Sequence, residues 1–283
     1  MDAKLKFPIY VGATASNNPE NAEERGHDYI VYENFNNEAL IPGSQLMPHS
    51  LDDPTYSGVF QVAVEDQNGQ RRSFGTGSFV RLKLADDSEL FGFLTCYHVI
   101  KYPSISELPP PYQIFVRHNI DDTSKSIRFK DESAPVGDPI YSETDDFYFL
   151  VVSDAFKNKW NDISFLEITD KNPSDSIVEV LIPQFLIDAL NKTDFYLSKG
   201  LMCETIKGQR FKHKSSTLPG TSGAPIMIHI ESTSEHRVIG MHQGNIENKP
   251  ANFGLTVSRI LAVLKTKHSG LEPTSISKDE SML

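Results

Sequence analysis

Side chains suited to nucleophilic acyl transfer stand in three separate segments of the sequence. Ser222 lies between two glycines in residues 217–225, which read T-L-P-G-T-S-G-A-P. His98 stands near the end of the apolar run 91–100, and Asp162 precedes the apolar run 163–168. A serine hydroxyl attacks a carbonyl only with a general base in reach, and an imidazole titrates near neutral pH. These residues therefore predict Ser222 as nucleophile, His98 as proton shuttle and Asp162 as the carboxylate that orients His98.

Gly220 meets a second requirement of the same chemistry, which is a pair of hydrogen-bond donors for the oxyanion. A glycine two residues before the nucleophile can turn the backbone so that its own N–H and that of Ser222 point at one oxyanion. Taken alone, G-T-S-G is also typical of an ordinary surface loop, and an isolated histidine is also typical of a packed core. The combination of segments, and no single one of them, favours catalysis.

The segments follow one another in the order His, Asp, Ser, which is the chymotrypsin order and differs from the subtilisin and α/β-hydrolase orders. With them, residues 56–265 resemble a trypsin-like serine protease of the chymotrypsin-fold superfamily. The motif style is closest to bacterial glutamyl endopeptidases. The matching pieces are G-T-G-S-F-V, T-x-x-H-V, N-D-I-S-F-L-E-I, T-L-P-G-T-S-G-A-P and V-I-G-M-H-Q-G.

The resemblance implies an all-β fold of two six-stranded antiparallel Greek-key β-barrels, with a C-terminal helix and an N-terminal arm. We expect the arm at 1–54, the first barrel at 55–170, the second barrel with its helix at 171–268 and a polar tail at 269–283. The first barrel would carry the histidine and aspartate, and the second the nucleophile. No cofactor is implied.

Asp146 is a rival for the third member of the triad. It also precedes an apolar run, in T-D-D-F-Y-F-L-V-V. Members of the family place a small or hydroxyl side chain two residues after the aspartate, where Asp162 has Ser164 and Asp146 has Tyr148. The resemblance therefore favours Asp162, with Asp146 as the alternative.

Three further residues bear on specificity. The resemblance places Thr217, His242 and Gly244 around the pocket for the substrate side chain, as in glutamyl endopeptidases and in viral proteases that cut after glutamine. An imidazole and a hydroxyl can donate hydrogen bonds to a carboxylate or an amide oxygen, which predicts a preference for Glu or Gln. The alternative for His242 is a barrel histidine whose nitrogens are satisfied by backbone.

Composition and net charge limit the classes of binding partner that we expect. The 283 residues include 27 Lys and Arg against 38 Asp and Glu, a net charge of −11, which argues against nucleic acid and anionic membranes. The histidines show no paired ligand spacing, so we expect no metal site. We expect a protein or peptide substrate, and the N-terminal arm could take a regulatory partner. With only two cysteines and no apolar core at the N-terminus, we expect a cytoplasmic protein.

Local patterns predict elements. Asn68-Gly69 indicates a hairpin turn, residues 255–265 indicate a helix, and residues 178–190 could hold one short helix limited by Pro183.

Trypsin-type zymogens are switched when a new N-terminal ammonium pairs with an aspartate just before the serine. This chain has the uncharged Thr221 at that position, so we expect no activation by that ion pair. Two other functions stay open: a catalytically silent binding or regulatory module on a protease fold, and an esterase that uses the same triad.

Overall fold

The computed structural model describes residues 40–65, 71–83, 89–101, 114–117, 126–129, 136–169, 178–187, 193–206, 209–230, 233–245 and 251–267. The predicted Asn68-Gly69 turn and the polar tail lie outside these residues. The strands are β1 (Gln45–Pro48), β2 (Val59–Glu65), β3 (Arg71–Lys83), β4 (Glu89–Thr95), β5 (Ile114–Arg117), β6 (Ser126–Arg128), β7 (Ile140–Ser142), β8 (Phe147–Val151), β9 (Leu166–Glu167), β10 (Val178–Ile187), β11 (Thr193–Ile206), β12 (Arg210–His213), β13 (Pro225–Ile230), β14 (Glu235–Asn245) and β15 (Asn252–Thr256). The helices are α1 (Tyr97–Ile100), α2 (Asp154–Lys159) and α3 (Val257–Lys267).

The first sheet contains eight strands. Their order is β6-β5-β2-β3-β4-β8-β7, and β9 pairs parallel with β3. The strands are rich in aromatic and branched residues, which suit a pleated surface packed on a core. Phe79 and Phe93 are fully buried at its centre, with their ring centroids 5.0 Å apart.

The second sheet closes on itself. Its path β11-β10-β13-β14-β15-β12 returns to β11, because β12 pairs with β11 as well as with β15. The result is a six-stranded antiparallel barrel, filled by the buried side chains of Val180, Ile182, Phe211, Ile226 and Ile239. Strand β1, from the predicted N-terminal arm, pairs with β11 from Gln45↔Lys199 to Pro48↔Tyr196 and so covers part of an outer edge of that strand.

The prediction of a short helix within 178–190 is wrong. Residues 178–187 form β10, which pairs with β11 along its whole length from Val178↔Met202 to Ile187↔Thr193. An apolar run without strict alternation does not distinguish a buried strand from a buried helix. Pro183 is tolerated because the ladder to β13 on the other side is confined to Leu181↔Met227, so the missing N–H breaks no bond there.

The C-terminal helix is present, two residues later than predicted. Leu255 and Thr256 belong to β15, and the Thr256 hydroxyl accepts the backbone N–H of Arg259 at 3.2 Å, an N-cap contact that starts α3. The buried face of α3 carries Val257, Ile260 and Leu264, which join the main core. Among the described residues, every helix is too short or too polar to span a bilayer.

Candidate active site

The Asp146 carboxylate contacts His98 at both its backbone and its ring. The Asp146 Oδ1 atom accepts the backbone N–H of His98 at 2.9 Å, and Oδ2 lies 2.8 Å from His98 Nδ1. The Asp146 side chain is 5% exposed and that of His98 is 22% exposed. A carboxylate can only accept, so Nδ1 carries the ring proton and Nε2 is the nitrogen left to act as a base.

The prediction that Asp162 orients His98 is therefore corrected to Asp146. Antiparallel β4 and β8 pair Thr95 with Tyr148, and this register brings the residue just before β8 opposite the start of α1. Asp162 instead lies exposed in the turn between α2 and β9, and its neighbour Ser164 donates its N–H to Ser57 Oγ at 3.1 Å. The large Tyr148 that counted against Asp146 is accommodated by full burial in the core.

The Ser222 loop is fastened to the first sheet through Thr76. The Thr76 N–H donates to the Ser222 carbonyl at 2.8 Å, and its hydroxyl donates to the Gly220 carbonyl at 2.7 Å. On the other side of the loop, Gly223 N–H donates to the His242 carbonyl at 2.9 Å. The nucleophile predicted from the sequence thus stands where the two sheets meet, and the residue is half-buried.

Glycines let the backbones that carry His98 and Ser222 pack together. Gly223 has φ +91°, and a Cβ there would come within 2.1 Å of the Thr76 carbonyl and 3.1 Å of the Cys96 nitrogen. A Cβ on Gly75 would stand within 2.7 Å of the Val99 side chain and 2.9 Å of the Ser222 carbonyl. The segments that flank His98 and Ser222 are therefore held at van der Waals distance around these two glycines.

Of the backbone N–H groups at residues 220–222, one donates a hydrogen bond within the described loop and two do not. Thr221 N–H donates to the Leu218 carbonyl at 3.1 Å, which turns it into the loop. Among the described residues, no acceptor takes a hydrogen bond from the N–H of Gly220 or of Ser222. Gly220 has φ +102°, a conformation that favours glycine. These two amides are the donors that the sequence analysis assigned to an oxyanion.

The predicted pocket residues lie in the second barrel. Thr217 and His242 are fully buried, and Gly244 is half-buried beyond a bulge in β14. His242 Nδ1 lies 3.1 Å from Nε2 of His213, a residue that the sequence analysis missed. The inward alternation of Phe211 and His213 along β12 is the only signal that could have found it.

Hydrogen bonds set the tautomers of this histidine pair. Ser215 N–H donates to His213 Nδ1 at 3.4 Å, so His213 carries its proton on Nε2 and donates it to His242 Nδ1. His242 then carries its own proton on Nε2, where it is a donor. Burial, with the neighbouring His242, lowers the pKa of His213 well below its ordinary value of 6.5, so this imidazole is neutral at pH 7.

Thr221, which directly precedes Ser222, is uncharged. Its hydroxyl lies 2.6 Å from the Leu218 carbonyl and also contacts Gln184 Oε1. These contacts are internal to the second barrel and involve no charged group. They hold the turn before Ser222 with neutral groups.

One cluster in the described residues has the donor types of a metal site. Cys96, His98 and Asp146 each present a ligand atom within 4.8 Å of the others. The Asp146 and His98 atoms are hydrogen-bonded to each other, and the reduced thiol of Cys96 donates to the His242 carbonyl at 3.3 Å. Hydrogen bonds thus already engage these donors.

Comparisons with known proteins bear on the fold. No family profile and no curated protein matches the sequence. The structure is similar to a Glu endopeptidase, with a TM-score of 0.54 and 12% identity over 82% of this chain and 98% of that one. An inactive mutant form of Rv3671c from M. tuberculosis gives a TM-score of 0.48 and 16% identity over 83% of this chain and 100% of that one.

The fold is thus chymotrypsin-like and all-β with a C-terminal helix, as predicted. Two six-stranded barrels were expected, and the described residues form one closed six-stranded barrel and a second sheet of eight strands. Identity this low shows the fold alone. Function has to be argued from the site.

Proposed function

We propose that this chain is a cofactor-free serine endopeptidase that hydrolyses peptide bonds through an acyl-enzyme. The observation that carries the proposal is the pairing of His98 with both oxygens of Asp146, on backbone packed against the Ser222 loop. A histidine held in this tautomer is the general base that a serine hydroxyl on a tight glycine turn needs for activation.

The reaction follows from these positions. His98 Nε2 takes the proton of Ser222 as its Oγ attacks the scissile carbonyl, and the Gly220 and Ser222 amides donate to the oxyanion. Collapse of the tetrahedral intermediate breaks the C–N bond, and His98 returns the proton to the leaving amine. A water molecule, activated by the same nitrogen, then hydrolyses the ester and restores Ser222.

Asp146 stabilises the imidazolium that forms during each half of the reaction. It accepts the Nδ1 proton and stays ionised throughout. Its two hydrogen bonds to His98 also hold the ring at the angle that presents Nε2. Loss of the correct tautomer in such a triad costs about 10⁴ in kcat.

The substrate preference that we propose is Glu or Gln before the scissile bond. The His213–His242 pair leaves a proton on His242 Nε2, and Thr217 adds a hydroxyl nearby in sequence to the nucleophile. A neutral imidazole N–H can donate a hydrogen bond either to a carboxylate oxygen or to an amide oxygen. An aliphatic side chain has no acceptor atom, so it gains no hydrogen bond from this imidazole.

A peptide library analysed by mass spectrometry tests both parts. We expect cleavage by the wild-type chain after Glu or Gln, and none by Ser222→Ala. His242→Phe should lose the preference while it keeps labelling by an active-site phosphonate. Cleavage that persists in Ser222→Ala would refute the nucleophile, and cleavage after unrelated residues would refute the pocket.

A further inference from the structure

The loop that carries Asp146 is anchored by a helix from the other half of the chain. Arg259 on α3 donates two hydrogen bonds to the Asp145 carboxylate, from Nε to Oδ1 at 2.9 Å and from Nη2 to Oδ2 at 3.0 Å. The Asp145 side chain is only 8% exposed, and Ser142 Oγ donates to its Oδ2 at 2.8 Å. A bidentate pair of this kind fixes orientation as well as distance.

Gln243 on β14 holds the same loop through its backbone. Its fully buried side chain donates from Nε2 to the carbonyls of Asp145, at 2.6 Å, and of Asp146, at 3.1 Å. Its Oε1 accepts from Arg210 Nε at 3.2 Å, and Arg210 Nη2 donates to the Thr144 carbonyl at 3.2 Å. The second barrel and its helix therefore bind residues 144–146, which form the turn between β7 and β8 of the first sheet.

These contacts act on a backbone that does not hold its shape unaided. Asp146 has φ +55°, in the left-handed region that is unfavourable for most residues with a side chain. Such a conformation persists where the surroundings over-determine it, and such outliers cluster at functional sites. Relaxation of this one angle would swing the carboxylate away from the backbone N–H and the ring Nδ1 of His98.

We propose that Arg259, acting through Asp145, and Gln243 are positioning residues that hold the Asp146 carboxylate against His98. This inference rests on the proposed function of the triad. It makes the His98–Asp146 contact depend on the docking of α3 and β14 against the first sheet. The histidine and aspartate of one sheet are thus aligned by the half of the molecule that supplies the nucleophile.

Kinetics of Arg259→Ala test the inference. We expect kcat to fall about 10–100-fold, the cost of a misplaced catalytic group, while KM changes less than about twofold. Arg259→Lys should recover part of the loss, because an ammonium keeps the charge but not the bidentate geometry. Arg81→Ala is the matched control, since Arg81 pairs with Glu89 and Glu167 away from the site, and it should keep wild-type kcat.

Proton NMR detects the His98–Asp146 hydrogen bond without the need for catalytic turnover. The proton on His98 Nδ1 should give a low-field resonance that is absent in His98→Gln. We expect the signal to persist in Arg81→Ala and to shift or vanish in Arg259→Ala. If Arg259→Ala keeps both the resonance and kcat, the positioning role is overturned.

Two further outcomes separate this inference from the proposed function. A wild-type chain without turnover would refute the peptidase, yet loss of the resonance in Arg259→Ala would still support the positioning role. If Arg259→Ala fails to fold by circular dichroism, Asp145→Asn replaces it, because it removes the ion pair at unchanged size. An unaltered resonance in a folded Asp145→Asn variant would overturn the role.

Discussion

Asp146 combines two properties that rarely occur together in one residue. It is almost fully buried, and its backbone lies in the left-handed region. Aspartate is among the few residues with a side chain that occasionally adopt this conformation. The turn before β8 can therefore direct a carboxylate back towards α1, where both oxygens find donors on His98.

Replacing Asp146 by asparagine tests its assignment at the residue scale. The amide keeps the size, but it can present an N–H where the carboxylate accepts, so it favours the wrong tautomer of His98. We expect kcat for peptide hydrolysis to fall about 10⁴-fold with little change in KM. Steady-state kinetics on a cleaved library peptide measure this.

Asp162→Asn is the matched control for that prediction. Asp162 is exposed in the turn before β9, so its variant should keep kcat within about twofold of wild type. A large loss in Asp162→Asn with none in Asp146→Asn would reverse the assignment.

At the scale of elements, short-range patterns identified the apolar runs that follow Asp146 and Asp162 but could not choose between them. Asp146 and Asp162 both precede apolar strands, and the choice depends on which strand pairs with β4. The pairing Thr95↔Tyr148 selects β8, whereas β9 pairs with β3 at Val80↔Leu166. Strand pairing is a long-range property, and local residue types do not encode it.

The Gly223 turn is the element that joins the two sheets at the site. We expect Gly223→Ala to lose about 3 kcal/mol of unfolding free energy, from its positive φ and from contact with the Thr76 carbonyl and Thr95 hydroxyl. Urea unfolding followed by circular dichroism measures the loss.

Gly137→Ala separates the cost of a positive φ from the cost of a close contact. Gly137 has φ +72°, and a Cβ there would meet nothing within 4 Å, so alanine should cost only about 1 kcal/mol. Equal losses in the two variants would show that packing between the Ser222 turn and the first sheet contributes nothing.

Strand β1 and the residues before it tie the N-terminal segment to the side of the barrel where we propose the specificity pocket. Ile41 N–H donates to Ser216 Oγ at 2.9 Å, and Ser216 N–H donates to Ser44 Oγ at 2.7 Å, directly before Thr217. A chain that begins at residue 49 should unfold at lower urea than one that begins at residue 40, because it exposes the edge of β11. It should also show a higher KM for Glu or Gln peptides. Identical midpoints and KM values would contradict this.

At the scale of the whole molecule, the pH dependence of stability follows from two histidines. Burial lowers the pKa of His213 well below 6.5, and burial together with His229 lowers that of His236. Below pH 6.5 the unfolded chain therefore binds protons that the folded chain does not. The stabilisation from these neutral histidines is present above pH 6.5 and is lost as the pH falls, by up to about 1.4 kcal/mol per pH unit for the buried His213 and by less for His236, which solvent screens.

Urea unfolding between pH 7 and pH 5 measures how the free energy of unfolding changes with pH. This pH range lies above the one in which carboxylates titrate. We expect a lower free energy of unfolding at pH 5, and a shallower slope in His213→Gln. A wild-type free energy that stays level or rises towards pH 5 would contradict the burial of these histidines as neutral groups.

Sequence reasoning reached the overall architecture because several ordered motifs carried it together. Ser222, His98 and Gly220 could be named since each lies in a distinctive local run. His213, Gln243 and Arg259 could not, because their roles come from contacts across the barrel or between the two halves. The segment 178–187 was misread for the same reason, since only its pairing with β11 makes it a strand.

The central claim is that His98 and Asp146 activate Ser222, and labelling with a fluorophosphonate tests it most directly. An activated serine displaces fluoride and gains one phosphonyl group, which intact-mass and peptide-mapping mass spectrometry locate. We predict one adduct per chain on Ser222, none in Ser222→Ala and much slower labelling in Asp146→Asn. A folded wild-type chain that takes up no label, or that takes it at another residue, would contradict the account.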